Sequence, residues 1–167
     1  MRFVILLFTL FLFRSSENLF AQTKYFLSLN GSVEIPTAGS YKTGLGTDVT
    51  FGIRSKANQN AFTISVTTSR FEYQYYYFIN EIVALRGGYQ FFPAKNFYFN
   101  PTIGVQKAYT TGFSNPATLA WALGAGYLIP SSKKGNVNLF TKINGSTNNL
   151  AWISIGAGYQ FQLGKKG

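Results

Sequence analysis

The sequence contains no cysteine and no histidine, and only 12% of its 167 residues are charged. Disulfides, thiolate metal sites and the cysteine of a lipoprotein anchor are therefore missing. The commonest general base and metal ligand, histidine, is missing too. An ordinary soluble domain has about 25% charged residues, so a chain this poor in charge suits a fully water-exposed surface badly. We expect a protein that is not an enzyme and that holds no catalytic residue, cofactor or metal.

The N-terminal segment predicts export. A short positive start precedes an apolar run at residues 3–13. This run is too short for a membrane-spanning helix, which needs about 20 residues, but it has the length of a signal-peptide core. Ala21 follows as a small residue suited to the position before the cleavage site. The alternative, a buried core helix, would need a polar face that the run lacks. We predict a signal peptide over residues 1–21 and one mature domain over residues 22–167.

The mature sequence alternates between apolar and polar residues. From Ile153 to Leu163 the odd positions are all apolar, and the even positions are Ser, Gly or Gln. A period of two predicts a β-strand with one apolar and one polar face. The pattern occurs eight times, without any sustained helical period. The first seven predicted strands have their apolar positions at Tyr25, Leu27, Leu29 and Val33; Leu45, Val49, Phe51 and Ile53; Phe62, Ile64 and Val66; Val83, Leu85, Tyr89 and Phe91; Phe97, Phe99, Ile103 and Val105; Leu119, Trp121, Leu123, Ala125 and Tyr127; and Val137, Leu139 and Ile143.

The composition of the two strand faces indicates which one lines the inside of the predicted fold and which one forms its outer wall. Eight such strands fit a closed barrel or a sandwich. The polar face is mostly Gly, Ser, Thr, Asn and Gln, whereas a soluble barrel needs charged residues on its outer wall. Small side chains suit the narrow lumen of eight strands, and aromatic residues recur at one end of the apolar face, as in a membrane girdle. We predict an all-β, eight-stranded antiparallel up-and-down transmembrane barrel; the alternative is a soluble exported barrel that binds a small apolar ligand.

The alternation is clearest at residues 25–37 (YFLSLNGSVEIPT), 83–109 (VALRGGYQFFPAKNFYFNPTIGVQKAY) and 153–161 (ISIGAGYQF). In these segments the chain resembles small eight-stranded outer-membrane β-barrel proteins of the OmpX/OmpA transmembrane-domain type. The resemblance implies a Gram-negative outer membrane, outer-membrane lipid around the barrel, and a structural or adhesion role. We expect a porin-like monomer without a wide pore, and an extracellular partner of unknown identity.

Four charged residues have the parity of the polar face, which is the lumen face of the predicted barrel. They are Glu34, Asp48, Arg86 and Lys142. An unpaired charge in a lumen with little water costs several kcal/mol, so we predict a lumen charge network in which at least one acid meets Arg86 or Lys142. A paired-carboxylate catalytic site is the alternative for the two acids. The other side chains predicted to fill the lumen are Tyr98, Gln106, Phe140, Gln160 and Gln162.

Residues 70–80 hold six aromatic residues in a stretch of eleven. We predict strand ends that project beyond the membrane and carry their own aromatic belt. The alternative is a stacking platform for a sugar or a peptide. The candidate surface-contact residues are Phe71, Tyr73, Tyr75, Tyr76 and Tyr77.

Basic residues collect in the turns and tails at the end of the barrel that holds the termini, and no acidic residue accompanies them. They are Arg54, Lys56, Lys95, Lys133, Lys134, Lys165 and Lys166. Two interpretations stay open: contact with anionic phospholipid head groups, or solubility and protection of strand ends. Nucleic-acid binding is not expected, because these residues lie in separate turns and the protein is exported.

Overall fold

The computed structural model of the protein describes residues 23–55, 60–75, 79–110, 113–132, 134–147 and 151–163, so the predicted signal peptide lies outside the described residues. The described residues form eight long β-strands and one strand of two residues. The strands are β1 (Thr23–Pro36), β2 (Gly44–Ser55), β3 (Ala61–Glu72), β4 (Ile79–Gln90), β5 (Phe97–Thr110), the short β6 (Phe113–Ser114), β7 (Thr118–Ser132), β8 (Gly135–Ser146) and β9 (Ala151–Leu163). Among the described residues, no helix is long and apolar enough to cross a membrane.

The long strands form one closed antiparallel barrel. Each pairs with the next long strand along the chain, and β1 also pairs with β9 from Tyr25–Leu163 to Pro36–Trp152. The two-residue β6 pairs with the end of β5. Closure leaves the eight long strands without an open edge, which is the condition for β-structure in lipid. The predicted eight-stranded up-and-down barrel is therefore confirmed.

The barrel has a large stagger. Starting at Val33 of β1, paired residues lead through β2, β3 and β4 to Tyr109 of β5. In the other direction they lead through β9, β8 and β7 to Phe99 of the same strand. These end points are ten residues apart along β5, and this offset is the stagger of the barrel. The strands of such barrels tilt by about 35–45° from the axis, so paired residues lie at different heights.

The two ends of the barrel differ. The described chain starts with β1 and finishes with β9 at one end, called here the termini-side end, where β4 connects to β5 and β7 to β8 through short turns. The connections from β1 to β2 and from β3 to β4 lie at the opposite, loop-side end. This arrangement follows from an even number of antiparallel strands.

The outside of the barrel is apolar and the inside is polar. The outward side chains of Leu29, Ile64 and Leu123 are 45%, 59% and 52% exposed, whereas the inward side chains of Ser28 and Thr63 are buried. A soluble fold does not present so continuous an apolar wall to water. The sequence-based assignment of the two faces is therefore confirmed.

Aromatic rings gather on the outside near the termini-side end. The rings of Tyr25 and Phe51 stack with their centroids 6.1 Å apart, and those of Tyr159 and Phe161 lie 4.7 Å apart. Aromatic side chains are enriched at membrane–water boundaries. This girdle marks the expected level of the boundary at the termini-side end.

Candidate functional site

The four lumen charges form two separate groups. Glu34, Asp48 and Arg86 are buried and Lys142 is partly buried. The structure brings Asp48 to Lys142, and it links Arg86 to Glu34 only through uncharged side chains. Each group thus contains one acid and one base.

The first group, the Asp48 group, is built on an ion pair. The Lys142 ammonium lies 2.8 Å from Oδ2 of Asp48. Oδ1 of the same carboxylate accepts hydrogen bonds from the Thr50 hydroxyl at 2.7 Å and from the Asn30 amide at 3.0 Å. Both carboxylate oxygens therefore have donors, as a buried charge requires.

The Asp48 group extends across the lumen through amide side chains. The Asn30 carbonyl oxygen accepts hydrogen bonds from the Asn138 amide at 3.0 Å and from the Ser28 hydroxyl at 3.1 Å. The Tyr98 hydroxyl donates to Oδ1 of Asn138 at 2.8 Å. The contacts connect β1, β2, β5 and β8, so a polar layer ties opposite walls of the barrel together.

The second group, the Glu34 group, is a relay. The Glu34 carboxylate accepts hydrogen bonds from the hydroxyls of Ser32 and Ser154, both at 2.5 Å. Ser154 accepts from the Asn144 amide at 2.7 Å, and Asn144 accepts from Nη1 of Arg86 at 3.1 Å. Among the described residues, the Arg86 guanidinium therefore contacts no carboxylate directly.

Side chains fill the middle of the lumen. Beside the Asp48 group lies a polar cavity of only about 20 Å³, lined among others by Asn30, Tyr98 and Lys142. A volume of this size holds about one water molecule. In the described part of the lumen, Tyr98, Gln106, Phe140 and Gln160 are buried and Gln162 is partly buried.

Two inward glycines make room for large rings. A Cβ atom added at Gly52 would lie 2.1 Å from the Phe26 ring, and one added at Gly126 would lie 2.4 Å from the Tyr98 ring. Both distances are far below van der Waals contact. The glycines of the lumen face therefore allow bulky neighbours to cross the narrow interior.

An apolar cap lies toward the loop-side end. Phe71, Ile82 and Trp152 are each 1% exposed and pack together, with Tyr41 and Ala108 against them. The rings of Phe71 and Trp152 meet edge to face at 5.8 Å. The expectation that Phe71 is a surface contact is therefore wrong. Because β3 continues to Glu72, its alternation turns Phe71 inward.

The other candidate surface-contact residues differ in their exposure. Tyr73 is partly buried and lies against Tyr41, with ring centroids 5.2 Å apart. Tyr75 is 72% exposed at the loop-side end. Tyr76 and Tyr77 lie outside the described residues. Among the predicted candidates, Tyr75 is thus the one that the structure shows on the surface.

The outer wall of β3, β4 and β5 becomes polar toward the loop-side end. Arg70 and Glu81 are paired across β3 and β4, and both are exposed. Lys107 on β5 lies 5.3 Å from the ring centroid of Tyr109. Since charged side chains are costly in lipid, this wall is expected to stand above the membrane boundary.

The basic residues at the termini-side end have different surroundings. Arg54 lies between two rings, with its guanidinium 5.3 Å from the Phe26 centroid and 4.9 Å from the Phe92 centroid. It therefore helps to close the mouth of the lumen, while Lys95 and Lys134 are exposed. Lys56, Lys133, Lys165 and Lys166 lie outside the described residues.

Several lumen residues were not singled out from the sequence, namely Asn30, Asn138, Asn144 and Ser154. The sequence signal that could have identified them is an amide or hydroxyl side chain at an inward-facing position of a predicted strand. Within the described ranges, no cluster of three acidic side chains forms a potential metal site.

No protein-family model and no curated protein matches the chain. Solved structures share its fold. Neisserial surface protein A (NspA) is 10% identical with a TM-score of 0.62, covering 83% of this chain and 97% of its own. Ail, the attachment invasion locus protein of Yersinia pestis, is 16% identical with a TM-score of 0.57, covering 84% and 99%. The N-terminal β-barrel domain of Pseudomonas aeruginosa OprF is 11% identical with a TM-score of 0.52, covering 85% and 98%. The chain therefore has the fold of small outer-membrane barrels.

Proposed function

We propose that the protein is an integral outer-membrane β-barrel whose loop-side end contacts other molecules at the cell surface, and whose lumen is not a wide pore. The observation that carries the proposal is the inverted wall, apolar outside and hydrogen-bonded inside. A lipid bilayer is the surrounding in which that arrangement is stable. The shared fold with outer-membrane barrels supports this location.

The loop-side end supplies a surface suited to contact. Arg70, Glu81 and Lys107 give the outer wall both signs of charge, and Tyr75 adds an exposed ring. Tyrosine serves well at interfaces because its ring is apolar and its hydroxyl forms hydrogen bonds. Ail, a protein of similar fold, has been solved with the heparin analogue sucrose octasulfate. A surface-contact role for this chain agrees with that precedent.

The filled lumen argues against the alternative of a soluble ligand carrier. Pockets for small molecules are usually about 300–1,000 Å³ and largely apolar. The cavity beside the Asp48 group is about 20 Å³ and includes Asp48 and Lys142 in its lining. The same filling argues against a wide channel, because eight strands leave an interior just wide enough for side chains, whereas porins of about 16–18 strands enclose an aqueous channel.

Surface labelling tests the proposed location and orientation. The natural chain has no cysteine, so Tyr75→Cys introduces a unique thiol at the loop-side end. We expect a membrane-impermeant maleimide to label Tyr75→Cys on intact cells. The matched variant Lys95→Cys, in a turn at the termini-side end, should react only after the membrane is disrupted. Equal labelling of both variants on intact cells, or labelling of Lys95→Cys alone, would contradict the proposal.

A further inference from the structure

Two cationic residues are paired at the termini-side mouth of the lumen. Lys24 of β1 lies opposite Arg54 of β2 in the register of the two strands. Both have the same parity as Phe26 and Gly52, which are buried and face the lumen. Like charges directly opposite each other on an antiparallel pair of strands are destabilising. This end of the lumen therefore favours an anion that neutralises both charges.

The described part of the chain provides no acidic partner for this pair. Of the four acidic residues that the structure describes, two belong to the lumen groups above and two lie at the loop-side end. Neither Lys24 nor Arg54 forms an ion pair with a described residue. Lys24 is also exposed, so the pair can be reached from the solution at the mouth.

The Arg54 guanidinium is held by its two faces and has a free hydrogen-bonding edge. Its carbon lies 5.3 Å from the Phe26 ring centroid and 4.9 Å from the Phe92 ring centroid. Nε and Nη2 are buried, and no described residue accepts a hydrogen bond from either nitrogen. These two nitrogens form one edge of the planar guanidinium, which matches two oxygens of a single carboxylate or phosphate. The ring contacts thus orient a free pair of oxyanion donors.

The residues beside Arg54 add a further polar group. Ala61 of β3 is the register partner of Arg54, and Gln90 of β4 is the partner of Ala61. The side chain of Ala61 is a single carbon, so it fills little space between its two neighbours. Oε1 of Gln90 is buried without a partner among the described residues. Rotation of this amide would present its NH2 group to an anion instead.

Arg86 has the same free edge but a different environment. Its Nε and Nη2 also lack an acceptor in the described ranges. However, hydrogen bonds through Asn144 and Ser154 join Arg86 to the Glu34 carboxylate. An anion added there would meet a negative charge of the same group, whereas the pair that contains Arg54 has no described acid.

We propose that Lys24 and Arg54 form an oxyanion site, called here the mouth site, that binds a doubly charged phosphate group entering from solution. A phosphate monoester carries about −1.5 to −2 charges at pH 7, which matches two cations, whereas a carboxylate carries one. A lipid phosphodiester also carries one charge, and lipid surrounds the outer wall, while the pair has lumen-facing parity. The proposal requires only the closed barrel and goes beyond the proposed function.

Titration calorimetry with inorganic phosphate tests the mouth site. The protein is folded in micelles of an uncharged detergent and titrated at pH 8 and low salt. We expect saturable binding of one phosphate per chain, weaker at high salt because part of the attraction is screened. Acetate should bind more weakly than phosphate. Phosphatidylglycerol added to the micelles should not displace phosphate.

Matched variants separate the mouth site from the general basic charge of this end. R54Q should weaken phosphate binding by about ten-fold or more, because it removes hydrogen bonds between two charged groups. R54K keeps the charge but loses the two-nitrogen edge, so it should also bind more weakly. K24Q should weaken binding several-fold, and its exposed position makes misfolding no concern. K95Q and K134Q remove the same charge from exposed turn residues and should bind phosphate like the wild type.

Four outcomes would overturn the mouth site. They are the absence of saturable phosphate binding, equal weakening by K24Q and K95Q, binding of acetate as tightly as phosphate, and displacement of phosphate by phosphatidylglycerol. The second outcome would assign the binding to diffuse charge, and the last would assign it to lipid. None of these results affects the labelling of Tyr75→Cys on intact cells, so the proposed function is tested separately.

Discussion

Replacing Lys142 by methionine is expected to lower the free energy of unfolding by about 3–5 kcal/mol, because the Asp48 carboxylate would remain buried without its counter-charge. The ion pair is 2.8 Å long, and the side chain of Asp48 is only 5% exposed. Thr50 and Asn30 would still donate to the carboxylate, but neither carries a charge. Urea-induced unfolding in detergent micelles, followed by intrinsic fluorescence, measures the change.

Two further variants show whether the effect comes from a buried charge. Lys42→Met removes the lysine of an exposed pair, in which the side chains are 57% and 64% exposed, and exposed pairs contribute about 0–1 kcal/mol. The double variant Asp48→Asn with Lys142→Met should recover much of the lost stability. Equal effects of Lys42→Met and Lys142→Met would contradict the assignment of Asp48 and Lys142 as a lumen ion pair.

Replacing Leu29 by arginine is expected to destabilise the barrel by about 2–4 kcal/mol, the cost of arginine on a lipid-facing strand near the bilayer midplane. Leu29 lies midway along β1, and its side chain points outward at 45% exposure. On a soluble barrel the same exposed position would accept arginine with little change, because exposed substitutions usually fall within about 0.5 kcal/mol. The measurement is the urea midpoint of the barrel folded in lipid vesicles.

Leu119 supplies the matched control for depth. It is an outward leucine with 48% exposure, but it is the second residue of β7 at the loop-side end. Arginine near the membrane interface costs about 0–1 kcal/mol. If Leu29→Arg and Leu119→Arg shift the midpoint equally, the outer wall has no lipid-dependent profile, and the membrane interpretation of that wall is contradicted.

The strands and their faces could be predicted from the sequence because alternation is a local property. The pattern from Ile153 to Leu163 identifies β9 and places Gln160 inside without reference to any other strand. Parity likewise placed the four charges on the lumen face. Each of these inferences depends on the geometry of a single strand.

The pairing of the charges could not be predicted, because it depends on the stagger of the whole barrel. Asp48 on β2 and Lys142 on β8 meet only because the closed sheet brings those positions to one height. A shift of the registry by two residues preserves every parity but changes which side chains meet across the lumen. The chain of hydrogen bonds from Arg86 to Glu34 could not be predicted for the same reason.

Phe71 shows a failure of another kind. Its position in a segment of six aromatic residues suggested the surface, and composition outweighed parity. Every second residue of β3, starting at Ala61, lies on the lumen face, and Phe71 is one of these residues. The alternation of β3 continues as far as Phe71, beyond Val66, which was the last apolar position predicted for that strand.

The central claim is that the outside of the barrel faces lipid while its inside does not, and the two tryptophans of the chain test it directly. Trp121 points outward at 43% exposure, and Trp152 is 1% exposed in the apolar cap. Trp152→Phe and Trp121→Phe leave one reporter each for vesicles of phosphatidylcholine brominated on its acyl chains. The account predicts strong quenching of Trp121 and little quenching of Trp152. Quenching of Trp152 equal to or stronger than that of Trp121 would contradict it.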